Sequence, residues 1–265
     1  MTAEPVQRRS PAELEKENRR LTTRLQRLED NVRRLEEFQD SNSTLSARLL
    51  TELEDERAKS ERLLLNVLPQ RIIDRLEAGE TMIADRHEAV SVLFCDVVAF
   101  TETSARLAPA VLIEEMNQLF SGFDTICERT GVEKIKTVGD AYLVVGGLDD
   151  RADHAAGVAE TALQMIEQVE ARAGLGADWR VRIGLHGGPA VAGVIGTTKF
   201  AYDVWGDTVN VAARLESASE PNRIHVSGTL AAQLEDRYRM TPRGSLELKG
   251  KGLVETCFLL GRRDP

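Results

Sequence analysis

Leucines recur every seven residues near the start of the chain, at Leu14, Leu21, Leu28 and Leu35. Asn18, Leu25 and Val32 repeat with the same period, each four positions after a leucine. Within a stretch from Pro11 to about Phe38 made almost wholly of helix formers, this heptad predicts a helix with leucine at d and Asn, Leu and Val at a. An isolated helix would leave that stripe in water, so the pattern asks for a second helix. Leucine at d with a single Asn at a favours a parallel dimer in fixed register, with Arg24 at g facing Glu29 at e of the other chain. The alternative is a helix packed on its own domain. The polar run QDSNST (39–44) interrupts the repeat and predicts a stutter or kink. Leu45, Leu49 and Leu53 then restart a helix that runs to LLLNVLPQRIIDRL (63–76), where Pro69 ends or kinks it.

After about Glu88 the period changes. VSVLFCDVVAF (90–100) reads as a buried strand, and residues 109–130 have helical spacing. VEKIKTVGDAYLVVGG (132–147) predicts two strands around a tight Gly139-Asp140 turn, followed by a helix over 150–173. WRVRIGLHGGPAVAGVIG (179–196) predicts a second strand pair with Gly-Gly at its turn. Residues 199–217 read as a turn and a short amphipathic helix, with a short strand near 223–226 and two late strands around SLELKGKG and ETCFLL. Hairpins among alternating strands and helices indicate an α+β sheet layered with helices, not a doubly wound parallel fold. Four segments result: a disordered N-terminus over 1–10, a coiled-coil dimerisation helix over 11–62 interrupted near 39–44, a linker over 63–87 and an α+β domain over 88–265.

Composition narrows the partners. The 265 residues carry a formal net charge of -9, which argues against a surface built for nucleic acid or anionic membrane. An anionic ligand must therefore meet a local cluster of Lys and Arg. Cys95, Cys127 and Cys257 form no CxxC pair and fit a reducing, cytoplasmic setting. No apolar leader and no membrane-spanning run is visible in the sequence. A DNA-binding zipper would need a dense basic region upstream, where only Arg8 and Arg9 stand.

The residues that need explaining are polar ones in apolar settings. Asp96 interrupts a strand of Val, Leu, Phe and Cys, so it needs a cation or donors unless it lies at a wet strand end. Asp140, alone, is an ordinary turn residue. If their strands are neighbours, the two carboxylates converge at one end of the sheet. Two hard oxygen ligands without a His or Cys cluster fit Mg²⁺ or Mn²⁺, not zinc. Asn210 and Arg214 stand four apart, on one face of a helix, and Asp203 precedes Asn210 by seven. GxxxxGK[ST], GxGxxG and GxSxG are all absent. The glycines of GGPAVAGVIGTTK allow close backbone packing.

VLFCDVVAFT, EKIKTVGDAYLVV, YDVWGDTVNVAARLES and LKGKG together resemble the class III nucleotidyl cyclase catalytic domain, from about Val90 to Leu260. LLLNVLPQRIIDRL resembles the transducer segment that precedes many such domains. The resemblance implies a ferredoxin-like, βαββαβ-type α+β catalytic domain that converts ATP to 3′,5′-cyclic AMP and pyrophosphate. It implies Asp96, Val97 and Asp140 as ligands of two Mg²⁺ or Mn²⁺ ions, and Phe100 and Thr101 as substrate contacts. It implies Asn210 as the ribose-holding residue and Arg214 as the clamp on the transferring phosphoryl group. It implies that base choice rests on Lys136 and Asp203: Asp203 can accept from the adenine N6 amine and Lys136 can donate to N1, whereas guanine reverses that pattern. Guanylate cyclases of the family typically carry Glu and Cys or Ser at the matching positions. Lys249 resembles a triphosphate-contacting lysine, and Lys251 offers the same charge. The family's sites lie between two catalytic domains, so a chain holding both residue sets is expected to form a head-to-tail homodimer with ATP as substrate. The alternatives are a guanylate or dual-specificity cyclase, or a catalytically weak signalling module with the same fold.

Overall fold

The computed structural model describes residues 10–149, 152–172, 174, 178–196, 198–248 and 251–263. Of the N-terminal segment 1–10, residues 1–9 lie outside these. The chain divides near Asn66 into two compact units.

The first unit is the helix α1, Pro11–Leu65. Ser10 caps it: its hydroxyl accepts from the Glu13 amide at 3.3 Å, and the Glu13 carboxylate accepts from the Ser10 amide at 2.9 Å. This reciprocal box satisfies donors that every helix start leaves open. Leu14, Leu21, Leu25, Leu28, Val32 and Leu35 are all exposed, and no residue of α1 is buried. The polar run 39–44 does not break the helix. Thr44 turns its hydroxyl back onto the Asp40 carbonyl at 2.9 Å, so the run stays within the helical hydrogen-bond pattern.

The second unit is an eight-stranded sheet with helices on both faces. In chain order it contains α2 (Gln70–Glu77), β1 (Ala84–Val97), α3 (Phe100–Ser104), α4 (Pro109–Thr130), β2 (Glu133–Val138) and β3 (Ala141–Gly146). There follow α5 (His154–Ala171), β4 (Val181–Ile195), β5 (Ala201–Trp205), α6 (Asp207–Ser217), β6 (Arg223–Ser227), α7 (Gly228–Leu234), β7 (Tyr238–Leu248) and β8 (Gly252–Arg262). The strand order is β2-β3-β1-β4-β6-β8-β7, with β5 added beside β4. The part β1-α4-β2-β3-α5-β4, ordered β2-β3-β1-β4 and antiparallel throughout, is the expected ferredoxin-like unit. Residues 67–87, read from the sequence as linker, pack into this unit: Leu68, Ile72, Ile73 and Ile83 are buried.

Alternation along β1 assigns the two faces. Leu93, Cys95 and Val97 point into the larger core with Phe123 of α4, Met165 of α5 and Leu230 of α7. Val90 and Val92 point into a second core with Ile72 and Ile73 of α2, Tyr202 and Val204 of β5 and Ala212 of α6.

Two expectations need correction. Residues 179–196 are not a strand pair turning at Gly187-Gly188. They form one strand, β4, that runs straight through both glycines, which pair with Ser91 and Val90 of β1. Both have ordinary extended backbone; their missing side chains make room for Leu230 and the Thr208 hydroxyl. The hairpin partner of β4 is β5, so Tyr202 and Asp203 lie on a strand and not in a turn.

Gly184 decides how closely α6 approaches β4. A Cβ there would lie 2.2 Å from the Glu216 amide nitrogen and 2.3 Å from the Ala212 carbonyl oxygen, both backbone atoms that cannot step aside. Gly184→Ala is therefore expected to lift α6 from the sheet and to cost roughly 2–3 kcal/mol in urea unfolding.

Candidate active site

The end of β1 carries the first group. Asp96 is the register partner of Ala141 on β3 and of Arg182 on β4, and faces the α6 side of the sheet. Arg182 donates from Nη2 to Asp96 Oδ2 at 2.7 Å. Its Nε stands 3.1 Å from Glu216 Oε1, near enough for charge attraction but off line. Both atoms are buried without a hydrogen-bond partner. The cation that Asp96 requires is thus Arg182.

Asp140 follows Gly139 in the β2–β3 turn, where Gly139 holds φ at 63°. Its carboxyl is pushed above the usual range, first by burial and then by the neighbouring Asp96 carboxylate. The two carboxylates therefore converge, as the strand pairing requires. Glu216 is pushed up to about 7, first by burial and then by the Asp96 charge, against the pull of Arg182. Three carboxylates facing one guanidinium leave a deficit of positive charge, which suits a hard divalent cation. Among the described residues, no group of three or more His, Cys, Asp or Glu side chains is arranged as a metal site. A cation here would rest on Asp96 and Asp140, with its other ligands from main chain, water or substrate. Val97 has a buried apolar side chain, so only its main chain is available.

The second group lies on β2 and β5. A bulge between Lys134 and Lys136 re-aims the edge strand. Lys136 Nζ meets Asp203 Oδ2 at 2.5 Å, while Asp203 Oδ1 accepts from the Val204 amide at 2.8 Å. Asp203 is mostly covered and Lys136 is more open, with side-chain exposures of 16% and 41%.

The third group is on α6, which presents an exposed Asn210 and a half-buried Arg214 one turn apart. Thr101 is exposed at the start of α3, after Ala99 in the left-handed region at φ 56°. Phe100 spends its ring on packing, stacked on Trp179 with centroids 6.2 Å apart. Lys249 lies outside the described residues. Lys251 pairs with Asp207, the first residue of α6, at 2.5 Å. A cavity of about 460 Å³ lined by Arg129, His154, Glu160 and Arg262 includes none of these residues.

Sequence reasoning missed Arg182 and Glu216. The signal for Arg182 was present: it is a charge at an interior position of a strand otherwise read as apolar. Glu216 gave none, because the next turn of a helix is an ordinary place for a glutamate.

Residues 82–261 match the family described as the adenylate and guanylate cyclase catalytic domain. A protein of Mycobacterium tuberculosis named adenylate cyclase is 42% identical over 221 residues, covering 82% of this chain and 50% of its own length. Rat guanylate cyclase 2D is 41% identical over 239 residues, covering 87% of this chain and 22% of its own. This chain thus spans about half the mycobacterial relative and about a fifth of the rat one. Among solved structures, the catalytic core of a rhodopsin-guanylyl cyclase with converted specificity, in complex with ATPalphaS, superposes with a TM-score of 0.65. It is 37% identical and covers 68% of this chain and 98% of its own.

The buried Glu216 generates a pH signature. Its carboxyl titrates higher in the folded chain than in the unfolded one, so the stability it contributes is full below about 4.5 and is lost as pH rises through about 7. Without divalent cation, the stability of the wild type relative to Glu216→Gln should fall by on the order of 2–3 kcal/mol between pH 4.5 and 7.5. Urea unfolding of both proteins across that range measures it; a flat difference would mean that Arg182 fully compensates the charge.

Proposed function

Since the chain belongs to the adenylate and guanylate cyclase catalytic domain family, we propose that it cyclises ATP to 3′,5′-cyclic AMP with release of pyrophosphate, at composite sites of a homodimer. The names of relatives do not decide the base, because adenylate and guanylate cyclases match almost equally well. The observation that carries the choice is the Lys136–Asp203 pair. It offers a donor and an acceptor side by side, the complement of adenine N1 and N6.

In this reading Asp96 and Asp140, with the Val97 main chain, hold two Mg²⁺ or Mn²⁺ ions. When bound, such cations lower the pKa of the ribose 3′-hydroxyl and neutralise the triphosphate. Arg182 holds the Asp96 carboxylate in place. Asn210 orients the ribose so that the 3′-oxygen lies in line with the α-phosphorus. Arg214 contributes a delocalised, always-charged clamp for the charge that builds on the transferring phosphoryl group. Phe100 and Thr101 offer main-chain donors beside the metal carboxylates. Lys249, or Lys251 once released from Asp207, supplies further charge for the phosphates.

The partner in this reading is a second copy of the chain. Val138, Ile195, Phe200 and Trp205 stand exposed on or beside the strands that carry Lys136 and Asp203. The stripe of α1 is likewise uncovered, and a parallel zipper with Asn18 at a core position would cover it. Tethering two catalytic units raises their effective concentration. Among the described residues, no helix is long and apolar enough to cross a membrane.

Three measurements test this reading. Cyclic-nucleotide formation from ATP and from GTP, with Mg²⁺ or Mn²⁺, should show preference for ATP. Lys136→Glu combined with Asp203→Cys should reduce that preference at least about tenfold, since a mismatched polar pair costs roughly 1–3 kcal/mol; an unchanged preference removes the two residues from base recognition. The third concerns shared sites. Asp96→Ala and Arg214→Ala should each be nearly inactive as homodimers. When co-expressed, about half the dimers are mixed, and each mixed dimer has one intact site. Roughly a quarter of wild-type activity should return. No recovery, with mixed dimers demonstrated by differential tags, would refute the homodimeric composite site.

A further inference from the structure

The two strands that carry the base-reading pair are not joined by main-chain hydrogen bonds. Among the described residues β2 pairs only with β3, and β5 pairs only with β4. Between them in strand order lie β3, β1 and β4, yet Lys136 and Asp203 touch. The sheet closes on itself across the second core, and the width of that closure is set by side chains.

Arg71 of α2 spans the same gap. Its guanidinium grips Glu133, the first residue of β2, with both ends of the fork: Nη1 donates to Oε2, and Nη2 to Oε1 at 3.0 Å. The same Nη2 donates to the Tyr202 hydroxyl on β5 at 2.6 Å, and the guanidinium carbon lies 5.5 Å from the Tyr202 ring centroid. Glu133 is three residues before Lys136, and Tyr202 is the immediate neighbour of Asp203. Tyr202 is itself buried, next to Ile72 and Ile73 on the same helix as Arg71. A planar fork with fixed donor directions holds two strands at a defined separation in a way a lysine cannot. Arg75, one turn on, grips Glu80 and Asp85 and so fixes α2 to the start of β1.

We infer that Arg71 is a positioning residue for base selectivity: by clamping Glu133 and Tyr202 it sets the β2–β5 spacing at which Lys136 and Asp203 match the edge of one purine. The inference rests on the reading of Lys136 and Asp203 as the base-recognition pair. Loosening the clamp lets the strands separate, which blurs the hydrogen-bonding edge without touching the metal carboxylates or Arg214.

The test measures kcat and KM for ATP and GTP in the full chain. The variants are Arg71→Gln, Arg71→Lys and Tyr202→Phe, with Lys136→Glu/Asp203→Cys as the control. Inhibition by pyrophosphate, which has no base, serves as a second readout, and thermal unfolding monitors the fold. Arg71→Gln should lower the ATP:GTP ratio of kcat/KM by about tenfold, mainly through the KM for ATP. Arg71→Lys should fall between it and wild type. Tyr202→Phe, which removes one hydroxyl and keeps the packing, should lower the ratio about threefold. Pyrophosphate inhibition should stay within about twofold. If Arg71→Gln fails to fold, Tyr202→Phe decides. A ratio unchanged in the Arg71 and Tyr202 variants but shifted in the control overturns the inference alone and leaves Arg71 as a tether of α2. A ratio unchanged in the control as well overturns the base-pair reading, and the inference with it. Equal loss of ATP use and pyrophosphate inhibition also overturns it, as general damage to the site.

Discussion

Among the described residues, Arg182 is the cation set among three carboxylates, those of Asp96, Asp140 and Glu216, at the point where β1, β3, β4 and α6 meet. Much of the candidate site follows from that imbalance. Partly buried carboxylates without enough counter-charge hold protons above their usual range, as Asp140 and Glu216 do. Such a cluster is tolerable in the free protein only because Arg182 neutralises one charge. On the proposed reading, divalent cations would supply the missing positive charge. The same guanidinium has a mechanical effect. It bridges β1 to α6 through Asp96 and Glu216, while Gly184 lets the helix backbone lie directly on β4. Glu216 shares α6 with Asn210 and Arg214. The interaction that gathers charge at the end of the sheet therefore also sets the height of the helix that presents the amide and the guanidinium.

The long strand β4 explains where sequence reading succeeded and where it stopped. Local signals were sufficient for α4, whose bounds match the helical spacing, and for the β2–β3 hairpin, whose Gly139 turn needs a positive φ. They misled at Gly187-Gly188, because a glycine pair marks a turn or a crowded strand equally well. Here the crowding comes from Leu230 and Thr208, residues 42 and 20 positions away from Gly188. No window along the chain contains that information. Tyr202-Asp203 was read as a turn for a related reason: a five-residue strand between two loops has too few alternations to declare itself.

The candidate site was legible in a different way. The pairing of Asp96 with Asp140 could be argued from strand adjacency, and Asn210 with Arg214 from helical spacing. Lys136 and Asp203 are 67 residues apart, and only family resemblance brought them together before the coordinates did. Arg182 offered only an out-of-place charge in an apolar strand and Glu216 no distinctive signal, and their pairing with Asp96 appears only once the fold brings β1, β4 and α6 together. The Arg71 clamp is further from local reading still. It spans 62 residues to Glu133 and 131 to Tyr202, and each of the three reads alone as an ordinary surface or core residue.

The proposed homodimer has a physical rationale. Electrostatic stabilisation of a transferring phosphoryl group is strongest where water is excluded, because the same charges act through a lower dielectric. In the single chain Asn210 and Thr101 are exposed and Lys136 is partly so, hence these groups face solvent. Beside them stand apolar side chains, Val138, Phe200 and Trp205 among them, that remain substantially exposed in the single chain. The α1 stripe presents the same deficit independently, in a separate unit. On the proposed homodimer, one occupant, a second copy related by a two-fold axis, would cover both apolar surfaces and these solvent-facing polar groups. Two-fold symmetry makes each contact occur twice, with residue i on j and j on i. If one copy's carboxylates face the other copy's Lys136, Asp203, Asn210 and Arg214, the reverse must hold as well. On that proposal each closed site takes its metal-binding half from one chain and its base-reading half from the other, and the sites come in pairs.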